Sequence, residues 1–235
     1  MSQLQRIAIA PSQFQQEQIL LTKEQQHYLG RVLRLREGDR FIAMDGKGKW
    51  WLAQLAGEQA RVLEALLVET ELPVSITLMV ALPKGNGFDE VVRCCTELGV
   101  ACIAPVLSDR TLLHPSPQKL ERWRRIAAEA AEQSERSFVP TILEPVTFNT
   151  AVTANQISHR YICEARGEYP HLNKVLNSIS EEIVIATGPE GGWTTQEIEN
   201  AIAFGFQPVS LGRRILRAVT APVVALSLIT ASCEV

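Results

Sequence analysis

The stretch "EEIVIATGPEGGWTTQEIENAIAFG", residues 181–205, decides the fold of the larger part of the chain. It opens with "EIVIAT", a short apolar run without alternation, the pattern of a strand whose sheet is covered on both faces. Thr194 followed by Glu197 fits a capping box, so a helix starts there. Between strand and helix lie Gly188, Gly191 and Gly192 around Pro189 and Glu190. Glycines so placed let a backbone turn sharply or let another group come close to it. A loop just beyond the carboxyl end of a strand is where open parallel sheets bind ligands. This one lacks the G-K-[ST] ending of a phosphate loop and the G-x-G-x-x-G spacing of a dinucleotide loop, and both readings fall. Considered alone, a tight structural turn and a ligand loop explain it equally well.

The same rhythm extends outward from this stretch. "ITLMVAL", "CIAPVL" and "RYICEA" are further strands, and "FDEVVRCCTELG" and "PQKLERWRRIAAEAAEQSE" are helices between them. Strands alternating with helices predict an α/β domain with a mostly parallel sheet, which ordinary chain topology would make a plain doubly wound sheet. In the long helix Trp123, Ile126, Ala127 and Ala130 share one face, the core or interface stripe. Arg122, Arg125, Glu129, Glu132 and Arg136 share another, as salt-bridged surface or as a charged site.

Upstream of Pro73 the pattern differs. "RIAIA", "RFIAMDGKGKWWLAQL" and "ARVLEALLV" alternate short apolar pieces with turn residues, and Asp45-Gly46 and Lys47-Gly48 have hairpin chemistry. One helical piece, "KEQQHYLGRVLRL", interrupts them, with His27, Tyr28, Val32 and Leu35 at helix spacing. These features predict a small β-rich domain of barrel type over residues 1–72 and the α/β domain over residues 73–235.

Composition narrows the function. The chain has 235 residues, 46% of them hydrophobic and 21% charged, with a net charge of −3, so it is globular and has no global basic signature for nucleic acid. A local one exists: residues 23–49 carry Lys23, Arg31, Arg34, Arg36, Arg40, Lys47 and Lys49 against Glu24, Glu37, Asp39 and Asp45. Five cysteines without a C-x-x-C pair argue against a disulfide frame or a zinc site and for a reducing compartment. There is no leader pattern at the start and no apolar run long enough for a membrane span, which predicts a soluble cytoplasmic protein. Near the end, "LGRRILR" brings Arg213, Arg214 and Arg217 beside a glycine turn, before an apolar helix from Thr220. Guanidinium forks there suit an anionic substrate such as RNA phosphate, although solvent-facing arginines at a helix start are the more ordinary reading.

Taken together and in this order, "LPKG" with "TELGV" (82–100), "AAEQSER" (130–136), "GPEGGW" (188–193) and "LGRRILR" followed by "TA" (211–221) resemble the SPOUT superfamily. Within it they resemble the family that methylates N3 of a uridine in 16S, small-subunit, ribosomal RNA. The resemblance covers the whole chain. It implies an α/β methyltransferase domain with a C-terminal trefoil knot, preceded by a PUA-like β-barrel that binds RNA. It implies S-adenosyl-L-methionine as cofactor, held by Leu82, Thr187, Gly188, Pro189, Gly191, Gly192, Leu211, Gly212, Ile215, Leu216, Arg217 and Thr220, the bare glycine backbone leaving room for it. Arg31, Arg34, Lys84 and Arg213 become RNA contacts.

The implied reaction removes a weakly acidic imide proton while the methyl donor lies in line with N3. Arg217 or Arg136 is the candidate for stabilising the uridine anion, and Glu132 or Glu190 the candidate proton acceptor. No metal is expected. The implied partners are small-subunit ribosomal RNA in the assembled 30S particle and a second copy of the chain, with "APVVALSLI" as contact surface or, equally simply, a helix buried within one subunit. One departure stands out: relatives read R-T-E-T-A after "IL", and here the acidic position is Val219. That departure keeps a non-catalytic RNA-binding or ribosome-assembly protein as the rival reading, beside a methyltransferase for another ribosomal or transfer RNA position.

Overall fold

The computed structural model describes residues 4–154, 157–176 and 182–234. Its contacts divide the chain into two compact units, Met1–Glu71 with Ala131–Val139, and Leu72–Ala130 with Pro140–Val235. The sequence reading assigned residues 131–139 to the second domain; the structure gives them to the first.

The first unit is built on strands β1 (Arg6–Ala8), β2 (Phe14–Gln15), β3 (Gln18–Leu20), β4 (Arg40–Met44), β5 (Trp50–Ala56) and β6 (Gln59–Leu66), with helix α1 (Lys23–His27) after β3. They form one sheet in the order β1-β4-β5-β6-β3-β2, in which β1 runs parallel to β4 and the other pairs are antiparallel. No strand pair joins β1 to β2 among the described residues, so the expected barrel is a half-barrel. Ile7, Ile19, Leu29, Phe41 and Leu55 form its core, and Ile42, Met44 and Trp50 form a second cluster with Leu66 and Val68.

The helical piece after β3 differs from its sequence reading. Thr22 Oγ1 accepts from Gln25 N at 3.2 Å and starts α1, but at Tyr28 the helix widens to π spacing, with Leu33 N donating to Tyr28 O at 2.9 Å. The widening puts Leu29 wholly in the core and leaves Tyr28 and Val32 39% and 57% exposed. Arg34, at φ 58°, stops the turn in the left-handed conformation.

Residues 131–139 join this unit because their polar groups are satisfied there. Lys47 and Phe138 form an antiparallel bridge, Gly48 N donates to Ser137 O at 2.9 Å and Val139 N to Gly46 O at 2.9 Å. Gly46 and Gly48 are glycines of necessity, with positive φ and with Val139 and Phe138 lying where a Cβ would project. Glu132 Oε2 accepts from Ala8 N at 3.1 Å, and Arg6 pairs with Glu135 at 2.8 Å. Arg136 is buried, its Nη2 2.6 Å from Glu71 Oε2, while Glu71 Oε1 accepts from Ser137 N and Phe138 N.

The second unit holds β7 (Ser75–Ala81), α2 (Gly87–Glu97), β8 (Cys102–Leu107), the body of α3 (Pro117–Gln133), β9 (Thr141–Ile142), β10 (Val146–Thr147), α4 (Phe148–Ala154), β11 (His159–Cys163), β12 (Glu182–Thr187), α5 (Thr195–Ala203), β13 (Gln207–Val209) and α6 (Thr220–Cys233). Glu181, the first residue of the quoted stretch, lies outside the described residues. The sheet order is β10-β8-β7-β12-β11-β13 with β9 beside β8, and every pair is parallel. The apolar strands read from the sequence are its centre. Val184 and Ala186 of β12 join Met79, Ala104 and Ile162 in packing against α4 and α5, while α6 packs on β12 and on α2. The apolar stripe of α3 is buried as predicted, with Trp123 against Phe88 at 4.4 Å between ring centroids and its indole N–H on Asp89 at 3.0 Å.

Glu71 supplies charge to a buried arginine and acceptors to two backbone amides at once. Removing one partner of a buried pair costs about 3–5 kcal/mol, at the lower end for a group as accessible as Glu71. Glu71→Ala should therefore lower stability by about 3 kcal/mol in urea unfolding, and Glu71→Gln should recover part of it through its amide oxygen.

Candidate functional site

Because the second sheet is parallel throughout, the loops that follow β8, β7, β12, β11 and β13 all emerge at one edge. A cleft of about 410 Å³ opens there, within the range of small-molecule sites. Its walls are residues 188–193 after β12, 163–166 after β11, and Leu211, Gly212 and 214–216 after β13, with Arg110, Thr195, Ala218 and Ala221. Two stretches that begin 23 residues apart, at Gly188 and Leu211, singled out separately in the sequence, thus line one cavity.

The glycines divide by function. Gly192 and Gly212 have φ of 68° and 121°, and a Cβ on either would meet nothing within 4 Å, so their backbones face open space. Gly188 and Gly191 are different: a Cβ would lie 3.2 Å from the Trp193 indole and 3.0 Å from Arg110 Cδ. Gly188 and Gly191 line the cleft too, and their missing side chains also make room for Trp193 and Arg110. Trp193 is seated by its indole N–H on Cys163 O at 3.1 Å and by Phe148 at 4.4 Å between centroids.

Arg110, which the sequence reading missed, clasps the loop. Its Nη1 donates to Gly191 O at 2.6 Å and to Trp193 O at 3.2 Å, and its aliphatic stem lies along Gly191. The neighbouring Asp109 N donates to Glu197 Oε1 at 2.9 Å, and Thr194 Oγ1 approaches Asp109 Oδ2 at 3.2 Å. Glu197 Oε2 accepts from Thr194 N at 2.8 Å, so the predicted capping box exists and also ties α5 to the loop after β8. The available signal was position: "SDR" follows the strand "CIAPVL", at the same sheet edge as the glycine loop.

The other sequence candidates fall into three groups. Gly188, Pro189, Glu190, Gly191, Gly192, Leu211, Gly212, Ile215 and Leu216 line the cleft, and Ile215 is 72% exposed within it. Leu82, Thr187, Arg217, Thr220, Lys84 and Arg213 are not among its lining residues. Leu82 is buried, Thr187 is buried at the end of β12 with no partner for its hydroxyl among the described residues, and Arg217 is exposed one turn before α6, its carbonyl accepting from Thr220 N and Ala221 N. Arg31 and Arg34 are exposed in the first unit.

Glu132 and Arg136 are not among the cleft's lining residues; Glu132 accepts from Ala8 N and Arg136 is paired with Glu71. Val219 packs on the start of α2, its Cγ1 2.7 Å from the Cβ position of Gly87. Glu190 keeps a place at the cleft: its Oε1 accepts from Lys84 N at 3.0 Å. Charge in the cleft is mixed, with Glu164 and Glu190 against Arg110, Arg166 and Arg214. Burial pushes the Cys163 and Cys95 thiols well above the ordinary range, so neither offers a thiolate. All five cysteines are free, and the described residues contain no cluster of metal-ligating side chains.

Residues 70–230 match the family model of an RNA methyltransferase domain, and residues 21–65 match that of an RNA methyltransferase PUA domain. The chain is 51% identical to ribosomal RNA small subunit methyltransferase E of Synechocystis, over 97% of this chain and 78% of that protein. The chain belongs to the ribosomal RNA small subunit methyltransferase E family. The member from Bacillus subtilis is 30% identical over 91% of this chain and 90% of its own. The solved methyltransferase E of Neisseria gonorrhoeae, bound to S-adenosyl methionine, superposes with a TM-score of 0.89 at 31% identity, covering 98% of each chain. A putative methyltransferase of Legionella pneumophila, in complex with the same cofactor, gives 0.86 at 29% identity over 98% of each. Membership of this family accounts for both units, the PUA-like half-barrel and the SPOUT α/β domain.

Two measurements follow from the site. Arg110→Ala removes two hydrogen bonds to the glycine loop, and amide exchange across residues 190–193 should quicken roughly tenfold at an intact melting temperature. Because burial raises the Cys95 and Cys163 thiols, raising the pH through the ordinary thiol range leaves them neutral. Iodoacetamide at about pH 8.5, where an ordinary thiol is half ionised, should therefore spare both cysteines until urea unfolds the chain.

Proposed function

We propose that the chain is an S-adenosyl-L-methionine-dependent methyltransferase acting on N3 of a uridine in small-subunit ribosomal RNA. The observation that carries this is the joining of the glycine loop and the 211–216 loop around one cleft, in a chain that shares its fold end to end with a cofactor-bound relative. The residues fit the cofactor. Bare backbone at Gly192 and Gly212 admits a flat adenine or ribose closely, and Leu211, Ile215 and Leu216 give apolar wall. Glu164 is available to a positive amino group, and Arg166 or Arg214 to a carboxylate. When bound, the cofactor supplies a methyl group activated by its positive sulfur.

The chain's own residues supply position and charge. Holding two reactants in line accounts for most of the rate, because it removes their translational and rotational freedom beforehand. The target base must leave its stack to reach the cleft, at a cost of a few kcal/mol. Arg217 stabilises the uridine anion as the N3 proton departs, and Glu190 is the acceptor for that proton, its unpaired oxygen being free to take it. Neither role uses an acid at position 219.

Further parts of the reading rest on the family resemblance. The segment after β13 closes a trefoil knot, a reading supported by the return of α6 onto β12 in the middle of the sheet. The chain pairs with a second copy through α6, on which Val223, Val224 and Leu228 are only half-buried. It works on the assembled 30S particle in the cytoplasm; no described helix is long and apolar enough to cross a membrane.

Calorimetric titration with S-adenosyl-L-methionine should give one site per chain; no binding to the folded protein at millimolar ligand would promote the non-catalytic RNA-binding reading. Arg217→Ala should lower turnover on small-subunit RNA about 100-fold, the scale of losing one anion-stabilising donor, with little change in cofactor affinity. Equal loss in both would end the catalytic assignment.

A further inference from the structure

The first unit carries a feature that the methyl-transfer reading does not use. Tyr28 and Val32 stand exposed on the π turn Tyr28–Val32, while Leu29 between them is wholly buried. A widened turn at this position sacrifices regular helix geometry, and such turns concentrate at functional sites. Within twelve residues after Tyr28 along the chain come Arg31, Arg34, Arg36 and Arg40, all exposed.

Several arginines elsewhere in the chain are held in ion pairs. Arg93, Arg122, Arg124 and Arg125 of the second unit each pair with a carboxylate, and so do Arg6 and Arg136. Among the described residues Arg31, Arg34, Arg36 and Arg40 form no ion pair. Of the four acids in residues 23–49, two are turned to backbone, with Asp39 Oδ2 accepting from Arg36 N at 2.7 Å and Asp45 Oδ1 from Lys47 N and Lys49 N, while Glu24 and Glu37 are exposed and form no ion pair among the described residues. The segment keeps a net positive charge, and its exposed guanidinium groups are not locked to a carboxylate.

We infer that Tyr28 is a stacking platform for an unpaired RNA base, with Arg31 and Arg34 gripping the phosphates beside it. The inference rests on the reading of the chain as an RNA-acting enzyme and names the element of the first unit that selects single-stranded RNA over a duplex. A planar ring of either polarity stacks on any base, while guanidinium groups hold the flanking backbone, so the pair recognises unstacked nucleotides without reading their sequence. Duplex RNA keeps its bases stacked and offers the ring nothing.

The test is fluorescence anisotropy with a labelled oligouridine and with a labelled RNA duplex, on the full-length protein and on Tyr28→Ala, Tyr28→Phe and Tyr28→Leu. Tyr28→Ala and Tyr28→Leu should weaken oligouridine binding roughly 5- to 100-fold, Tyr28→Phe should retain it, and duplex binding should not change. The salt slope should stay constant in the Tyr28 variants and fall by about 1 in Arg31→Ala, since only a phosphate contact releases a counterion. Melting curves of all variants should coincide, as the ring contributes little to the core. Oligouridine binding by Tyr28→Ala equal to that of the wild type overturns the stacking role and leaves the methyltransferase reading intact. Failure of the wild-type protein to bind oligouridine also overturns the stacking role, while cofactor titration separately tests the methyltransferase reading.

Discussion

Parallel pairing throughout the seven-stranded sheet is the constraint on which the rest of the second unit depends. Once β7, β8, β11, β12 and β13 run the same way, their carboxyl ends share an edge and every following loop is delivered to it. Residues from 110 to 221 meet there although they are far apart in sequence. The helices that make the crossovers cover both faces, which is why β12 is apolar without alternation. Elsewhere the edge is pinned by polar groups that serve two elements at once. Glu197 caps α5 and holds Asp109, and Arg110 passes from the loop after β8 to the carbonyls of Gly191 and Trp193. The glycine loop is therefore a held structure, and its open backbone at Gly192 is presented by a rigid frame.

The first unit distributes charge by a different logic. Four of its carboxylates are spent on structure: Glu71 on Arg136 and two amides, Glu132 on Ala8 N, Asp39 and Asp45 on turns. A chain with a net charge of −3 can still carry a locally basic segment, because most of its acids lie elsewhere along the chain. Net charge was silent about RNA for this reason, and the local count over residues 23–49 was the informative quantity.

Legibility varied with the range of the interaction. Strands β7, β8, β11 and β12, the capping box at Thr194 and the buried stripe of α3 were readable because each depends on neighbours a few residues away. The two cleft loops were readable as unusual glycine and arginine stretches, and family resemblance joined them. Three features were not readable. The π turn at Tyr28 exchanges which face is buried, through the packing of Leu29, Leu33 and Leu35 on a sheet formed largely later in the chain. Arg136 looked like a site residue because its ion partner lies 65 residues upstream. Arg110 looked ordinary because the carbonyls it holds lie more than 80 residues downstream.

The sequence by itself determined the alternation of strands and helices, the positions of the turns, the apolar faces and the family, since these reside in local pattern and in motifs kept in order. Tertiary structure alone decided how each glycine is used, which arginines remain free and which carboxylates are already engaged. Those properties depend on what lies within about 3 Å of an atom after folding, and at hydrogen-bonding distance the partners are set by the sheet order rather than by separation along the chain.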